Sequence, residues 1–282
     1  GEQCYMQGSF LEAISYFQTV LKDSEEMAGV SINQRIAESY SNLGQFEEAL
    51  PYYDKSLQKK IELHTLFQYG LTAYQAGQYK TAVNQLTKLK EIDHEFHSLY
   101  LYLASSYEML GDYEMAYKSA KEGIKQDEYN KELYFKAGKI CLKLNKPMEA
   151  VSNFRQAIAI DPGYLEAGIT LAKYFIQSEE YEECVETIES INEFGESDPQ
   201  FDWLLGYCFN QLEQFEASRK HYDAAYEVYG QNEEFLLEYG YFLLEEGDLK
   251  LFAEKGYRAE KATAVDMFPR TSHVETVVCL FR

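Results

Sequence analysis

The chain lacks the features that direct a protein into or across a membrane. No apolar stretch approaches the roughly 18 to 20 residues that a membrane-spanning helix requires. The N-terminal segment GEQCYMQGSF has neither the basic start nor the apolar stretch of a secretory signal peptide. We therefore expect a cytoplasmic protein that binds no membrane. Because the sequence begins with Gly and not Met, we also expect it to be part of a longer chain.

Cysteine is sparse, and the sequence motifs of common enzymes are absent. The five cysteines form no CxxC pair, which argues against a disulfide framework and favours a reducing compartment. There is neither a glycine-rich phosphate loop nor a GxSxG motif. His94 and His97 in DHEFH have the spacing of metal ligands, but no third and fourth ligand can be named. We therefore predict a protein that is not an enzyme, with no catalytic residues, no metal and no cofactor.

Basic residues and proline are scarce. Acidic residues outnumber basic ones by 47 to 26, which gives a net charge of -21. Such a surface repels the phosphates of nucleic acids and anionic lipids, so we expect no nucleic acid partner and a protein partner that is neutral or basic. Only five prolines occur beside 25 tyrosines and 17 phenylalanines, a composition that permits long helices and disfavours disorder.

What the sequence does contain is a repeat. A turn-forming residue, an aromatic two positions later and a small residue three further on recur along the chain. The copies are GSFLEA at 8, GQFEEA at 44, GQYKTA at 77, GDYEMA at 111, NKPMEA at 145, EEYEEC at 179, EQFEAS at 213 and GDLKLF at 247. The spacings between these anchors are 36, 33 and then 34 five times. The last copies match less well, and the eighth carries Phe252 where a small residue is expected.

Two further columns accompany the anchors. Seven residues before each anchor stands Gly or Ala, and nine residues after it stands an aromatic or apolar residue in most copies. Segments on both sides of each anchor carry apolar residues at spacings of three and four, which predicts two amphipathic helices per repeat. The small residues allow the two helices to approach closely, and a glycine at the anchor allows the positive φ of a tight turn. One hairpin cannot bury its own apolar face, so the copies must stack.

This pattern resembles the tetratricopeptide repeat family over residues 1–247, including the closing proline, Pro162, in AIDPGY. The resemblance implies an all-α fold, a right-handed superhelical solenoid of about seven to eight helical hairpins with an atypical C-terminal tail. The predicted repeat units are 1–29, 30–62, 63–96, 97–130, 131–164, 165–198, 199–232 and a partial unit at 233–247. The family's concave face binds segments of other proteins. The arrangement is also similar to that of multi-repeat cytoplasmic proteins of Gram-positive bacteria.

In this family the first helix of each repeat lines the concave groove, which implies a set of partner-binding residues. The predicted groove residues are Phe67, Leu71, Tyr74, Leu101, Phe135, Lys136, Lys139, Lys143, Ile169, Lys173, Trp203, Tyr207 and Asn210. Under the functional interpretation, the apolar members bind a peptide or a partner helix and the four lysines select a carboxylate. The alternative is that the apolar members pack between neighbouring helices and the lysines form a solvated face.

The tail from residue 248 to 282 differs from the repeats. It carries a net charge of +1 from six basic and five acidic residues, and HVETVVCLF predicts a strand by its β-branched content. The motif VDMFPRTSHVE at 265–275 resembles the C-terminal end of the uracil-5 RNA methyltransferases, which implies a general base at Glu275. In that family the nucleophilic cysteine and the cofactor-binding sheet lie upstream, where this chain has repeats. We therefore interpret the tail as a fusion or a remnant and not as an independent domain. In the alternative interpretation, Asp248 to Arg258 form a capping helix for the last repeat and the remainder is a loosely held extension. A helix from Leu249 to Lys255 suits both interpretations.

Together these features predict a non-catalytic scaffold or adaptor that binds a peptide or partner segment in the concave groove. Two alternatives stay open from the sequence. One is an accessory subunit or fragment linked to RNA uracil methylation, and the other is a peptide-responsive regulator.

Overall fold

The computed structural model of the protein describes residues 1–23, 30–96, 98–195, 197–255, 258–265 and 275–281. These residues form sixteen helices and two strands. The helices are α1 (Glu2–Met6), α2 (Phe10–Asp23), α3 (Val30–Asn42), α4 (Phe46–Lys59), α5 (Leu63–Gln75), α6 (Tyr79–Ile92), α7 (Leu99–Met109), α8 (Tyr113–Gln126), α9 (Lys131–Lys143), α10 (Pro147–Ile160), α11 (Leu165–Gln177), α12 (Tyr181–Glu193), α13 (Pro199–Gln211), α14 (Phe215–Tyr229), α15 (Glu233–Glu245) and α16 (Leu249–Glu254). The strands are β1 (Arg258–Val265) and β2 (Glu275–Phe281). The predicted all-α array of helical hairpins with an atypical tail is confirmed.

The chain divides into two compact units. The first, Gly1–Asp161, contains α1 to α10, and the second, Pro162–Arg282, contains α11 to α16 and both strands. The predicted repeat boundaries place one helix pair in each unit of sequence, from α1 and α2 to α13 and α14. The first pair begins with a short helix, α1, of five residues. A further pair, α15 and α16, follows α14, and α16 has only six residues.

Every helix pair turns at its anchor residue in a left-handed backbone conformation. The φ angle is positive at all eight anchors, at five glycines and at three other residues. The non-glycine anchors are Asn145 (φ 56°), Glu179 (φ 60°) and Glu213 (φ 58°). At Gly77 the chain closes the helix with two backbone hydrogen bonds, from Gly77 N to Tyr74 O and from Gln78 N to Ala73 O. This is the Schellman arrangement, which satisfies carbonyl groups at the end of a helix.

Small residues in the first helix of a pair receive a large side chain from the second helix. A Cβ atom at Gly70 would lie 2.6 Å from Leu86 Cγ, and one at Gly206 would lie 2.7 Å from Tyr222 Cδ1. Leu86 and Tyr222 occupy the column nine residues after the anchor, and both are fully buried. The two columns seen in the sequence therefore meet inside each hairpin.

Each unit has buried clusters of its own. In the first unit one cluster spans α5 to α9, with Leu86, Leu103 and Ile140 among its members. The second unit has a largely aromatic cluster made by α14, α15 and α16, which includes Tyr222, Ala225, Phe235, Leu236, Tyr239, Phe242, Leu243 and Phe252. Phe252 stands where the repeat pattern expects a small residue, and it is buried in that cluster.

The tail forms an antiparallel pair of strands. β1 pairs with β2 from Arg258 opposite Phe281 to Val265 opposite Glu275, with an irregularity between Ala259 and Lys261. β2 lies within the segment predicted as a strand from its β-branched content, while His273 and Val274 of that segment lie outside the described residues. The capping helix expected over Asp248 to Arg258 is wrong at its C-terminal end. α16 ends at Glu254, and Arg258 begins β1.

Candidate functional site

The predicted groove residues of the first unit are largely engaged by neighbouring hairpins. Phe67 lies 5.0 Å from Phe96 and 5.8 Å from Tyr102 between ring centroids, and Tyr74 lies 6.1 Å from Tyr102. Leu101 packs against the core cluster of α5 to α9. Leu71, like these, is half-buried. These contacts match the alternative in which the apolar members pack between helices.

Phe135 and two lysines of α9, Lys136 and Lys139, contact other residues of the chain. Phe135 is only 6% exposed and lies 5.8 Å from Phe154 between ring centroids. Lys136 Nζ lies 2.9 Å from Glu108 Oε2. Lys139 Nζ lies 5.2 Å from the centroid of the Phe135 ring. Lys143, in the last turn of α9, is exposed.

In the second unit, three predicted residues line one open pocket of about 490 Å³. The predicted residues are Lys173, Trp203 and Tyr207. The complete lining is Lys173 and Ile176 of α11, Gln200, Trp203, Leu204 and Tyr207 of α13, Tyr229 of α14, Asn232 before α15, and Glu234 and Glu238 of α15. Ile169 and Asn210 of the same unit are half-buried, and the pocket lining does not include them. The pocket combines aromatic rings from two helices with two carboxylates from a third.

Trp203 is held in place by its neighbours and is still half-buried. Its ring lies 5.1 Å from the ring of Tyr229 and 5.3 Å from the ring of Phe235 between centroids, edge-on to the latter. Its Nε1 donates a hydrogen bond of 3.0 Å to Glu238 Oε1. A tryptophan with fixed orientation and a partly open surface is the type of side chain that dominates binding at protein interfaces.

Glu238 is a half-buried carboxylate at the base of this arrangement. Its Oε1 accepts a second hydrogen bond, of 2.7 Å, from the hydroxyl of Tyr222. Burial raises the pKa of Glu238 above its ordinary value, and the hydrogen bonds from Tyr222 and Trp203 oppose that shift. Burial and the adjacent carboxylate raise the pKa of Tyr222 as well. Within the described part of the chain, Glu238 Oε2 accepts no hydrogen bond and Glu238 has no ion-pair partner.

Sequence analysis did not identify Glu238, Glu234 or Tyr229. A signal for Glu238 was present, because it is the one charged residue in the apolar segment FLLEYGYFLL of α15. A single carboxylate inside such a segment requires hydrogen-bond donors from another helix. The repeat pattern could not say which helix would supply them.

The geometry also bears on metal binding and on membrane crossing. Among residues whose placement is described, no group of three or more His, Cys, Asp or Glu side chains is arranged to hold a metal ion. His94 lies 3.9 Å from Glu95, and His97 is outside the described residues. The helices of the described ranges are all too short or too polar to cross a bilayer.

Comparison with known proteins gives matches along the repeats and a short one in the tail. Residues 30–58 and 142–205 match tetratricopeptide repeat models, and residues 199–255 match the model of YpiA-like C-terminal tetratricopeptide repeats. The TPR repeat-containing protein YpiA of Bacillus subtilis is 44% identical over 247 residues, which are 88% of this chain and 58% of YpiA. The chain therefore spans little more than half the length of that relative.

The chain is also similar to a solved repeat structure in its fold and to an enzyme over a short segment. The C-terminal part of a TPR repeat-containing protein from Cytophaga hutchinsonii superposes with a TM-score of 0.66 at 14% identity, covering 83% of this chain and 96% of that one, a likeness of fold. An uncharacterized RNA methyltransferase of Fusobacterium nucleatum is 67% identical over 30 residues, which are 11% of this chain and 6% of the enzyme. The helical hairpins, their anchors and these matches show that the chain carries tetratricopeptide repeats.

Proposed function

We propose that the protein is a non-catalytic interaction scaffold that binds a segment of a cytoplasmic partner protein along the first helices of its repeats. The pocket of the second unit is the anchoring site of this interaction. The observation that carries the proposal is the half-buried Trp203, which is fixed by Tyr229, Phe235 and Glu238 and still lines an open pocket. Tetratricopeptide repeat proteins typically act as such scaffolds, and the relative YpiA is named for its repeats alone.

The predicted groove residues of the first unit have a smaller role in this proposal. Phe67, Tyr74 and Phe135 contact other rings of the chain, so a partner would displace existing contacts to reach them. Lys143 of α9 is exposed, and in this proposal it contacts a carboxylate of the partner. The anchoring role therefore falls to Trp203 and Tyr207.

Quantitative affinity capture with Trp203→Ala tests the proposal. Truncation of a tryptophan at the centre of an interface commonly weakens binding by about 2 kcal/mol or more, or at least tenfold. Partners captured by the unmodified protein should be depleted with Trp203→Ala and retained with Phe194→Ala. Phe194 is a suitable control because it is 70% exposed and does not line the pocket.

Circular dichroism should show equal helix content in the three proteins, so that a loss of capture reports the pocket and not unfolding. Trp203→Phe is a milder variant that keeps an aromatic ring at this position and removes the hydrogen bond to Glu238. If Trp203→Ala is folded and captures every partner as well as the unmodified protein does, the pocket is not the anchor.

A second candidate is an accessory role in RNA uracil methylation. It rests on the 30-residue match to the methyltransferase. The resemblance of VDMFPRTSHVE to the uracil-5 RNA methyltransferases implies a general base at Glu275. The matched segment is 6% of that enzyme, so the remaining catalytic parts would have to come from outside these 282 residues. Transfer of labelled methyl groups from S-adenosylmethionine to rRNA, lost in Glu275→Gln, would support this role. The absence of transfer by the protein in a cell extract would contradict it.

A further inference from the structure

We propose that the second-unit pocket binds a basic side chain, lysine or arginine, of the partner segment. This inference rests on the proposed function and specifies the chemistry of the residue that enters the pocket. The pocket is lined by the rings of Trp203, Tyr207 and Tyr229 and by the carboxylates of Glu234 and Glu238. Aromatic faces attract ammonium and guanidinium groups, and a carboxylate shielded from water forms a strong hydrogen bond with either.

Glu238 has the geometry of a carboxylate that lacks its cation. One oxygen is fixed by Trp203 Nε1 at 3.0 Å and by the Tyr222 hydroxyl at 2.7 Å. The second oxygen has no hydrogen-bond donor within the ranges that the structure describes. A half-buried carboxylate is stabilised most by a cation, and its raised pKa agrees with the lack of one here.

The same unit contains an occupied site of this chemistry. Lys255 Nζ lies 3.6 Å from the centroid of the Tyr226 ring and 3.8 Å from Asp223 Oδ1. The hydroxyl of Tyr239 donates a hydrogen bond of 2.5 Å to that carboxylate oxygen. A tyrosine hydroxyl thus orients the carboxylate, and a lysine of the chain lies between the carboxylate and an aromatic ring. At Glu238 a tyrosine hydroxyl, that of Tyr222, also donates to the carboxylate, and the Trp203 ring lies beside it. In the described part of the chain, no lysine forms an ion pair with Glu238.

The first unit has a second occupied example. The Arg35 guanidinium lies 4.5 Å from the centroid of the Tyr5 ring, and its NH1 lies 2.9 Å from Glu38 Oε2. The Tyr5 hydroxyl donates a hydrogen bond of 2.8 Å to the same oxygen. In both places a tyrosine hydroxyl and a cation meet at the same carboxylate oxygen, once with lysine and once with arginine. In the second-unit pocket, this cation would come from the partner.

Lys173 is the one feature of the pocket that favours an acidic partner instead. It lines the pocket, is exposed, and has no ion-pair partner in the part of the chain that the structure describes. Two carboxylates against one ammonium leave the pocket with a formal charge of -1, and the whole chain carries -21. A solvated ammonium also repels a cation less than a half-buried carboxylate attracts it. These charges favour a basic residue, and they make Lys173 a sensitive test.

The pocket has a built-in reporter, because Trp203 is the only tryptophan of the chain. Four capped heptapeptides of sequence Ala-Leu-Ala-Xaa-Ala-Leu-Ala, with Xaa as Arg, Lys, Gln or Glu, are titrated into the full chain while Trp203 emission is recorded. We expect the Arg and Lys peptides to change the emission and to bind at least tenfold more tightly than the Gln and Glu peptides. At about 0.5 M salt this preference should shrink, because screening weakens ionic contacts.

Variants assign the effect to individual groups. Glu238→Gln keeps an oxygen that accepts from Trp203 and Tyr222 but removes the charge, and it should reduce the preference for Arg over Gln to less than threefold. Lys173→Met should raise the affinity for the Arg peptide by a few fold. Glu227→Gln, at an exposed position of α14 outside the pocket lining, is the matched control and should change nothing.

Three results would overturn the inference. They are tighter binding of the Glu peptide, an unchanged preference for Arg in Glu238→Gln, and no emission change with any peptide up to about 1 mM, the limit of weak binding. If the inference fails while capture of partners still depends on Trp203, the proposed function stands and only the basic residue is wrong. If capture is also independent of Trp203, the proposed function fails with it.

Discussion

Glu213 has a backbone conformation that suits glycine better than glutamate. Its φ is 58°, and it closes α13 with hydrogen bonds from Glu213 N to Asn210 O and from Gln214 N to Phe209 O, as Gly77 closes α5. A Cβ atom in this conformation costs roughly 1 kcal/mol. We therefore expect Glu213→Gly to raise the free energy of unfolding by about 0.5 to 1 kcal/mol, measured by urea denaturation. The gain is reduced by the greater freedom of glycine in the unfolded chain.

A glycine placed inside a helix provides the control for this prediction. Glu186 is an exposed residue of α12, away from the turns. Glu186→Gly should lower the free energy of unfolding by roughly 1 kcal/mol, because glycine is a poor helix former. A loss of stability in Glu213→Gly as well would show that its left-handed conformation costs less than the entropy of glycine.

Glu238 should make the stability of the second unit depend on pH. Burial raises its pKa in the folded protein, whereas in the unfolded chain it titrates near 4.5. The folded state therefore binds the proton more tightly, so the stabilising contribution of protonated Glu238 is fully present below pH 4.5 and is lost as pH rises through the folded pKa. Tyr222, Trp203 and Glu234 act on this carboxylate, and its charge in turn acts on Tyr207 and Cys208.

Glu238→Gln removes this titration and keeps an acceptor for both hydrogen bonds. We expect Glu238→Gln to gain stability relative to the unmodified protein when the pH is raised from 4.5 to 7. Thermal unfolding of both proteins at the two pH values measures this difference. Glu227→Gln serves as the control because it removes a carboxylate at an exposed position outside the pocket. Gln200→Glu is not suitable, because it adds a charge to the pocket. A stability difference that does not change with pH would mean that Glu238 titrates alike in both states.

At the level of single residues, the repeat pattern predicts position but not exposure. Phe135 and Trp203 stand at the same place in their repeats, ten residues before the anchor, and both were predicted as groove residues. The structure buries Phe135 beside Phe154 and leaves Trp203 half-buried at the pocket. The difference depends on the size of side chains from other helices. One sequence shows which residues share a face of a helix, but not how far a neighbour covers that face.

Among the elements, the pair α13 and α14 is sensitive to a small change in volume. The Tyr222 ring of α14 lies over Gly206 of α13, so that an added Cβ would lie 2.7 to 3.0 Å from three ring atoms. The ring is fully buried and is fixed by its hydrogen bond to Glu238, so it cannot move aside freely. We expect Gly206→Ala to lower the free energy of unfolding by about 1 to 3 kcal/mol, as overpacking of a core does.

A double-mutant cycle separates overpacking from the helix propensity of alanine. In the sixth repeat the same two columns hold Ala172 and Ile188, a pair with a smaller side chain opposite the methyl group. The cost of Gly206→Ala should therefore fall below about 1 kcal/mol in a Tyr222→Ile background, although Tyr222→Ile is itself destabilising. An equal cost in both backgrounds would show that Tyr222 does not oppose the methyl group.

The elements themselves were predictable wherever the repeat was complete. Apolar residues at spacings of three and four predict where the helices lie, and small residues predict where two helices touch. Both patterns are local properties of each repeat. The strand β1 was not predicted. Its sequence RAEKATAV has weak alternation, and nine residues separate it from its partner β2. Strand pairing between distant segments depends on tertiary contacts more than on local propensity.

At the scale of the whole molecule, the first unit should fold without the rest of the chain. The first unit holds its own clusters, such as Ala37, Tyr53 and Tyr69 between α3 and α6 and Leu86, Leu103 and Ile140 between α5 and α9. In a stack of repeats, stability is roughly the sum of each repeat and its contacts with neighbours. We expect residues 1–161 alone to be helical by circular dichroism and to unfold cooperatively in urea.

A shorter fragment shows whether whole hairpins are the unit of this stability. Residues 1–145 end at the turn after α9 and lack α10, so Phe135 and Gly138 lose the ring of Phe154. Since α9 would then have no second helix, its helix content should be lost, and the midpoint of unfolding should fall below that of residues 1–161. Equal midpoints would mean that α10 adds no stability, and that the buried Phe154 ring does not hold α9 in place. A non-cooperative transition of residues 1–161 would show that this unit depends on the repeats after Asp161.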